Sequence, residues 1–188
     1  MGDLNPKVRT KTYEYRSFFT DIVNFTQLSE KMILSDVLVL LSDYQSIMVE
    51  ALIKHNGTVD KFMGEAKFGT PKSYGNDAHN AFYCAVAMNI KFENLNKKKA
   101  NQFIIKHRIG IHYGTYVAGN MRSKQRFAVI GDTVNVARRV LTKDLIQLFL
   151  ISDELAQIIN YDLPSKEIPD YLVRGQNEPL DLIKIYQL

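Results

Sequence analysis

Two carboxylates come first among the residues of this sequence that can do chemistry. Asp21 falls at the end of an aromatic-rich segment, Tyr13 to Ile22, just before a loop carrying Phe25 and Thr26; Glu65 follows Met63-Gly64 at a tight turn. If neighbouring strands bring the two acids to one place, they repel each other unless a divalent cation lies between them. Such a pair is what two-metal phosphoryl or nucleotidyl transfer requires. The loop from Ile22 to Thr26 precedes a helical pattern, so its main-chain N–H groups can meet phosphate oxygens. Further on, Asn135 and Arg139 are four apart and share one face of a helix near its start. An amide and a guanidinium there can converge on a ribose and a charged phosphate. Read one at a time, these residues fit surface carboxylates and a polar helix face better than a site.

The elements that must position them follow from periodicity. Tyr13 to Ile22 reads as a strand. Between Ser29 and His55 the apolar residues Val37, Leu40, Leu41, Tyr44, Ile47, Met48, Ala51 and Leu52 recur at three and four, which predicts an amphipathic helix ended by Asn56-Gly57. Thr58 to Phe68 reads as a strand pair turning at Met63-Gly64, with Lys61 and Glu65 on either side of the bend. Asp77 to Leu95 is a second helix, with Ala78, Phe82, Ala85, Met88 and Ile90 to Phe92 as its apolar contacts, followed by a solvated loop, Asn94 to Asn101. Strands are expected over Phe103 to Ala118 and Arg126 to Gly131, a helix over Thr133 to about Leu145, a buried strand over Leu148 to Ser152 and a helix over Asp153 to Ile159. Asn160 to Asp170, with two prolines, reads as a loose connection before a terminal hairpin of Tyr171 to Val173 with Leu180 to Tyr186. Uneven alternation with interspersed hairpins predicts an α/β (α+β) sandwich, helices over a largely antiparallel central sheet.

Composition narrows the classes. With 188 residues, 46% of them hydrophobic, the chain is the size of one globular domain, 1–188. A net charge of +4 suits a phosphate-bearing ligand without specifying a nucleic acid, and no nucleic-acid partner is expected. The single cysteine, Cys84, lies in a helical pattern, so it reads as a small core residue of a protein kept in a reducing cytoplasm. No run reaches the ~18 apolar residues of a membrane span, and Met1 to Thr12 lacks the apolar core of a signal peptide, so no membrane contact is expected of this chain.

The order of these pieces resembles the class III adenylyl and guanylyl cyclases over roughly Tyr13 to Tyr186. FFTDIVNFT is similar to the family's first-strand motif, TVDKFMGEA to its hairpin, RIGIHYGTYVAGN to its fourth strand and VIGDTVNVARR to its signature strand and helix; LFLISDEL and YLVRGQNEPLDLIKIY match the tail more loosely. The resemblance implies a ferredoxin-like class III fold and attack by the ribose 3′-hydroxyl of ATP on its α-phosphate, yielding 3′,5′-cyclic AMP and pyrophosphate. By the same resemblance Asp21, Ile22 and Glu65 hold two Mg²⁺ or Mn²⁺ ions per site, and Ile22, Asn24, Phe25 and Thr26 meet the phosphates. Lys61 and Ala128 occupy the purine-reading positions, and Asn135 and Arg139 stabilise the transition state. Family sites lie between two domains, which implies a homodimer with two equivalent sites.

The sequence departs from the family pattern in places. Glu65 stands where the family has Asp, which adds a methylene to the metal-binding acid. Ala128 stands where adenylyl cyclases have Asp or Thr, which removes an acceptor for the adenine amino group. Asn24 replaces a glycine, a change that Asn's tolerance of left-handed backbone accommodates. The GEAKFGTP and GNMRSKQRFAVIGD stretches are shorter than usual. Lys61 can donate to an adenine ring nitrogen but does not complement the donor edge of guanine, which favours ATP. The alternatives are a cyclase-homology domain that binds nucleotide or dimerises for regulation without turnover, and, less well supported, a guanylyl cyclase.

Overall fold

A computed structural model describes residues 10–61, 65–68, 77–98, 104–120, 127–130, 149–172 and 178–186, with side chains for 18–58, 77–98, 104–112, 149–172 and 178–186. The described elements run β1 (Thr10–Ile22), α1 (Phe25–Ser29), α2 (Leu34–Lys54), β2 (Thr58–Lys61), β3 (Glu65–Phe68), α3 (Asp77–Lys98), β4 (His107–Asn120), β5 (Phe127–Ile130), β6 (Phe149–Ser152), α4 (Asp153–Ile158), β7 (Ser165–Tyr171) and β8 (Leu180–Ile185). The strands make one sheet in the order β2-β3-β1-β4-β6-β8-β7, with β5 also paired to β4. The first part, β1-α2-β2-β3-α3-β4, is a βαββαβ unit whose four strands are ordered β2-β3-β1-β4, with β1 and β3 central, the ferredoxin-like arrangement. Every pair is antiparallel except β4 with β6. The expected α+β sandwich on a largely antiparallel sheet is therefore what the chain forms.

Alternation along β1 decides which face carries what. Phe18, Thr20 and Ile22 are buried, and Phe18 and Ile22 join a core built with Leu40, Met48 and Leu52 of α2, Phe82, Met88 and Phe92 of α3, and Ile109 and Ile111 of β4. Of the α2 stripe read from the sequence, Leu40, Tyr44, Met48, Ala51 and Leu52 are buried and Val37, Leu41 and Ile47 are half-buried. Cys84 is buried on α3 as expected, and burial pushes its thiol up to about 12, so it stays protonated and inert. A smaller cluster of Leu150 and Leu182, backed by Ile168, Tyr171 and Leu180, continues the packing around β6, β7 and β8. No helix among the described residues is long and apolar enough to cross a membrane.

Four expectations need correction. The helix expected from Ser29 to His55 begins only at Leu34: Ser29 instead ends a short α1 that already takes in Phe25 and Thr26 of the expected loop, donating its hydroxyl to the Thr26 carbonyl at 2.9 Å, and the chain is extended at Ile33 before α2 begins. Asn94 to Lys98 of the expected loop are instead the last turn of α3, and the Asn96 amide pairs with both main-chain groups of Ile105 at 2.8 Å, which ties the helix end to the entry of β4; 99–101 lie outside the described residues. Ile90, read as a core contact, is 54% exposed. Ser165 to Asp170 is not a loose connection but most of β7. Its one proline, Pro169, is tolerated because β7 is an edge strand and Pro169 sits at a register shift, where Asp170 takes φ 53° and its N–H is accepted by the Asp181 carboxylate at 2.9 Å; Pro164 precedes the strand. The end of α2 is as expected, with Asn56 at φ 58° and the Gly57 N–H returning to the Leu52 carbonyl.

Candidate active site

Asp21 is the next-to-last residue of β1, and its direction is set by what its neighbours bury. On one side of it Thr20 is fully buried and its hydroxyl shares a 2.7 Å hydrogen bond with the Tyr44 phenol of α2. On the other, Ile22 fills the helical core. Burial, opposed by the Thr20 hydrogen bond and reinforced by the nearby Asp21 charge, pushes the Tyr44 phenol well above its ordinary range, so it acts as a neutral hydroxyl tying α2 to the strand end. With Thr20 and Ile22 directed at the helices, the pleat leaves Asp21 on the opposite face. Its side chain is 44% exposed.

Register brings the second acid to the same end. Glu65 pairs with Phe19, two positions from Asp21 along β1, the spacing at which residues share a face. Lys61 in turn pairs with Glu65 across the β2–β3 turn, at an irregularity of the ladder. Two carboxylate-bearing positions at one strand end are a hard-oxygen donor set of the kind Mg²⁺ and Mn²⁺ take, with water and phosphate oxygens filling the remaining places. Among the described residues, no group of three or more His, Cys, Asp or Glu could hold a metal unaided.

Asn24 occupies the left-handed region at φ 54°, ψ 34°, where the sequence anticipated a tolerant residue in place of glycine. It turns the chain from β1 into α1, whose first-turn N–H groups have no acceptor one turn back. Only the main chain of Ile22 and Phe25 is available to a ligand, because the Ile22 side chain is buried and Phe25 packs against the core. Thr26 is exposed. A polar cleft of about 240 Å³ opens beside this loop, lined by Val23, Asn24, Gln27, Lys31 and Lys106 among others.

Arg108 belongs to this site although the sequence did not single it out. It is the cross-strand partner of Asp21 and places Nη2 at 2.9 Å from the Asp21 carboxylate. It hides behind a motif whose remaining residues read as ordinary strand. The only sequence signal is a cation opening the otherwise apolar run Ile109-Gly110-Ile111; pairing with Asp21 depends on a register that the sequence alone does not reveal. Just before it, His107 is buried, tilts against Phe92 with ring centroids 4.3 Å apart, and donates from Nε2 to the Asn89 side-chain oxygen. Burial pushes its pKa down to about 4.

Ala128 is not brought to this end. It lies on β5 opposite Gly119, eleven positions along β4 from Arg108, on the order of 35 Å of extended strand. Asn135 and Arg139 lie outside the described residues.

Comparison with known proteins accounts for the arrangement. Residues 10–188 match the family model of the adenylate and guanylate cyclase catalytic domain. The chain is 29% identical over 181 residues to adenylate cyclase 1 of Rhizobium meliloti, covering 92% of this chain and 27% of that protein. It is 32% identical over 182 residues to an adenylate cyclase of Anabaena cylindrica, covering 89% and 36%. It thus spans about a third of the length of these relatives. The crystal structure of the adenylyl cyclase CyaB from P. aeruginosa superposes with a TM-score of 0.82 at 26% identity, covering 96% of this chain and 97% of that one. That of the guanylyl cyclase Cya2 has the same fold, with a TM-score of 0.82 at 24% identity over 95% and 94%. With its sheet order and a family match over nearly its whole length, the chain belongs to the adenylate and guanylate cyclase catalytic-domain family.

Proposed function

We infer that the chain is an adenylate cyclase domain that converts ATP to 3′,5′-cyclic AMP and pyrophosphate as a homodimer with a site at each side of the interface. The observation that carries this reading is the exposed Asp21 carboxylate at the end of β1 with the register position of Glu65 beside it. In this reading Asp21, Glu65 and the Ile22 carbonyl hold Mg²⁺ or Mn²⁺, and the main chain from Asn24 to Thr26 meets the polyphosphate. Bound there, the cations lower the pKa of the ribose 3′-hydroxyl and neutralise the phosphates. Asn135 orients the ribose, Arg139 takes the charge that grows on the α-phosphate oxygens, and Lys61 donates to the purine ring. With Ala128 no side-chain acceptor meets the adenine amino group, so preference for ATP over GTP falls by roughly 1–2 kcal/mol relative to a site that has one.

The composite site is supported by the spacing along β4. The purine position at Ala128 and the acid at Asp21 pair with β4 at positions eleven residues apart, Gly119 and Arg108, which supports a site whose two halves come from different copies. The test is incubation of purified protein with ATP or GTP and Mn²⁺, followed by chromatography of the products. Cyclic AMP is expected, with a smaller yield of cyclic GMP, and Asp21→Ala should lower the rate by at least about 100-fold. Absence of product from both nucleotides under dimer-forming conditions would leave the reading of a nucleotide-binding module without turnover.

A further inference from the structure

We propose that Tyr44 is a positioning residue for the Asp21 carboxylate: its phenol, acting through the Thr20 hydroxyl, fixes the end of β1 against α2 and so keeps Asp21 aimed at the cation seat. This rests on the reading of Asp21 as a metal ligand. Among the described residues β1 is paired on both sides only as far as Phe19, the partner of Glu65; from Thr20 to Ile22 the ladder continues with β4 alone. The carboxylate therefore stands on the stretch of strand that has lost one neighbour, where main-chain pairing restrains the backbone least.

The helix side supplies the missing restraint. Tyr44 of α2 shares a 2.7 Å hydrogen bond with Thr20, and both side chains are buried. Thr20 precedes Asp21 and points to the other face, so fixing its hydroxyl at one distance from α2 fixes the pleat that sends Asp21 outward. The phenol ring is held in its turn. It stacks on Phe92 of α3 with centroids 5.0 Å apart and planes 22° from parallel, and Phe92 packs against His107, which is hydrogen-bonded to Asn89. His107 is the cross-strand partner of Ile22. One chain of contacts thus grips β1 just before Asp21 and β4 opposite the residue just after it. Val and Phe would fill the same space as Thr20 and Tyr44. What the two hydroxyls add is a directional bond, and direction is what a preorganised metal ligand needs.

The test is titration with Mn²⁺ alone, read by the loss of the free-ion electron paramagnetic resonance signal, with urea midpoints measured on the same samples. The set is the wild type, Tyr44→Phe, Thr20→Val, the two combined, Thr20→Ser and Asp21→Asn. Each single loss of a hydroxyl strands its buried partner and should lower the urea midpoint, whereas the double variant replaces both by apolar groups of the same shape and should regain most of that stability. The double variant therefore carries the test if a single one does not fold. Mn²⁺ affinity should not follow stability: both single variants and the double variant should bind about three- to tenfold more weakly than the wild type, the strength of one hydrogen bond, while Thr20→Ser, which keeps the hydroxyl, binds as the wild type does. Wild-type Mn²⁺ affinity in the folded double variant, or an equal loss in Thr20→Ser, overturns the proposal and leaves Tyr44 a packing residue. Asp21→Asn should abolish the high-affinity Mn²⁺ site; if it does not, the metal-ligand reading of Asp21 fails and the positioning role falls with it, an outcome told apart from the first by which variant misbehaves.

Discussion

His107 shows how much one buried side chain can carry without touching substrate. It sits between Asn89 and Phe92, adjacent in sequence to Arg108 and opposite Ile22 in the ladder, so it holds the end of β4 against α3. Its folded pKa is depressed from 6.5 to about 4, so the fold favours the neutral ring. At a pH between these values the unfolded chain binds a proton that the folded chain does not, and stability therefore rises with pH across that window. The contribution is fully present above pH 6.5 and is lost as the pH falls toward 4. Its upper size is about 3 kcal/mol, from roughly 2.5 pKa units at 1.36 kcal/mol each. His107→Gln keeps an N–H donor for Asn89 and does not titrate. Urea midpoints at pH 8, 6 and 4.5 should fall more steeply for the wild type than for this variant; parallel curves would show that His107 is not the group responsible.

At the scale of elements, the loop between β1 and α1 was the most legible part of the site and the ladder the least. Asn24 in place of glycine announced a left-handed residue, and φ 54° is what the chain adopts. Asn24→Ala should therefore cost about 1–2 kcal/mol in urea unfolding while Asn24→Gly changes stability by less than about 0.5 kcal/mol; equal losses would mean the side chain, not the backbone, is what matters. Apolar periodicity located α2 and α3 because each buries a continuous stripe, and the strands around Asp21 and Glu65 because turn residues bound them. Periodicity missed the break at Ile33, since the residues after it resume the same spacing, and it missed β7, where Pro164 just before the strand and Pro169 within it concealed an edge strand that tolerates the one it contains. The Arg108–Asp21 pair was invisible for a different reason. The two residues are 87 apart, and their meeting is a property of register, which depends on the packing of both faces at once.

At the scale of the whole molecule, the fold divides the expected machinery along its length. The acids and the β1–α1 loop lie at one end of the β1–β4 ladder, and Ala128 lies opposite Gly119 toward the other. If each site takes its cation ligands from one copy and its transition-state groups from the other, defects on the two sides must complement. On the proposed roles Asp21→Ala would remove a cation ligand and Asn135→Ala a transition-state group, so either homodimer is expected to be inactive. In a mixed dimer one site receives both lesions and the other receives neither, because the intact Asp21 and the intact Asn135 belong to different chains. Random exchange puts about half of the dimers in the mixed form, each with one of its two sites whole, so an equimolar mixture should recover about a quarter of wild-type activity. The recovery should follow the rate of subunit exchange and vanish on dilution below the dimer dissociation constant. A mixture that stays as inactive as its components would show that both residues act within the same chain, and the two-copy site would have to be given up.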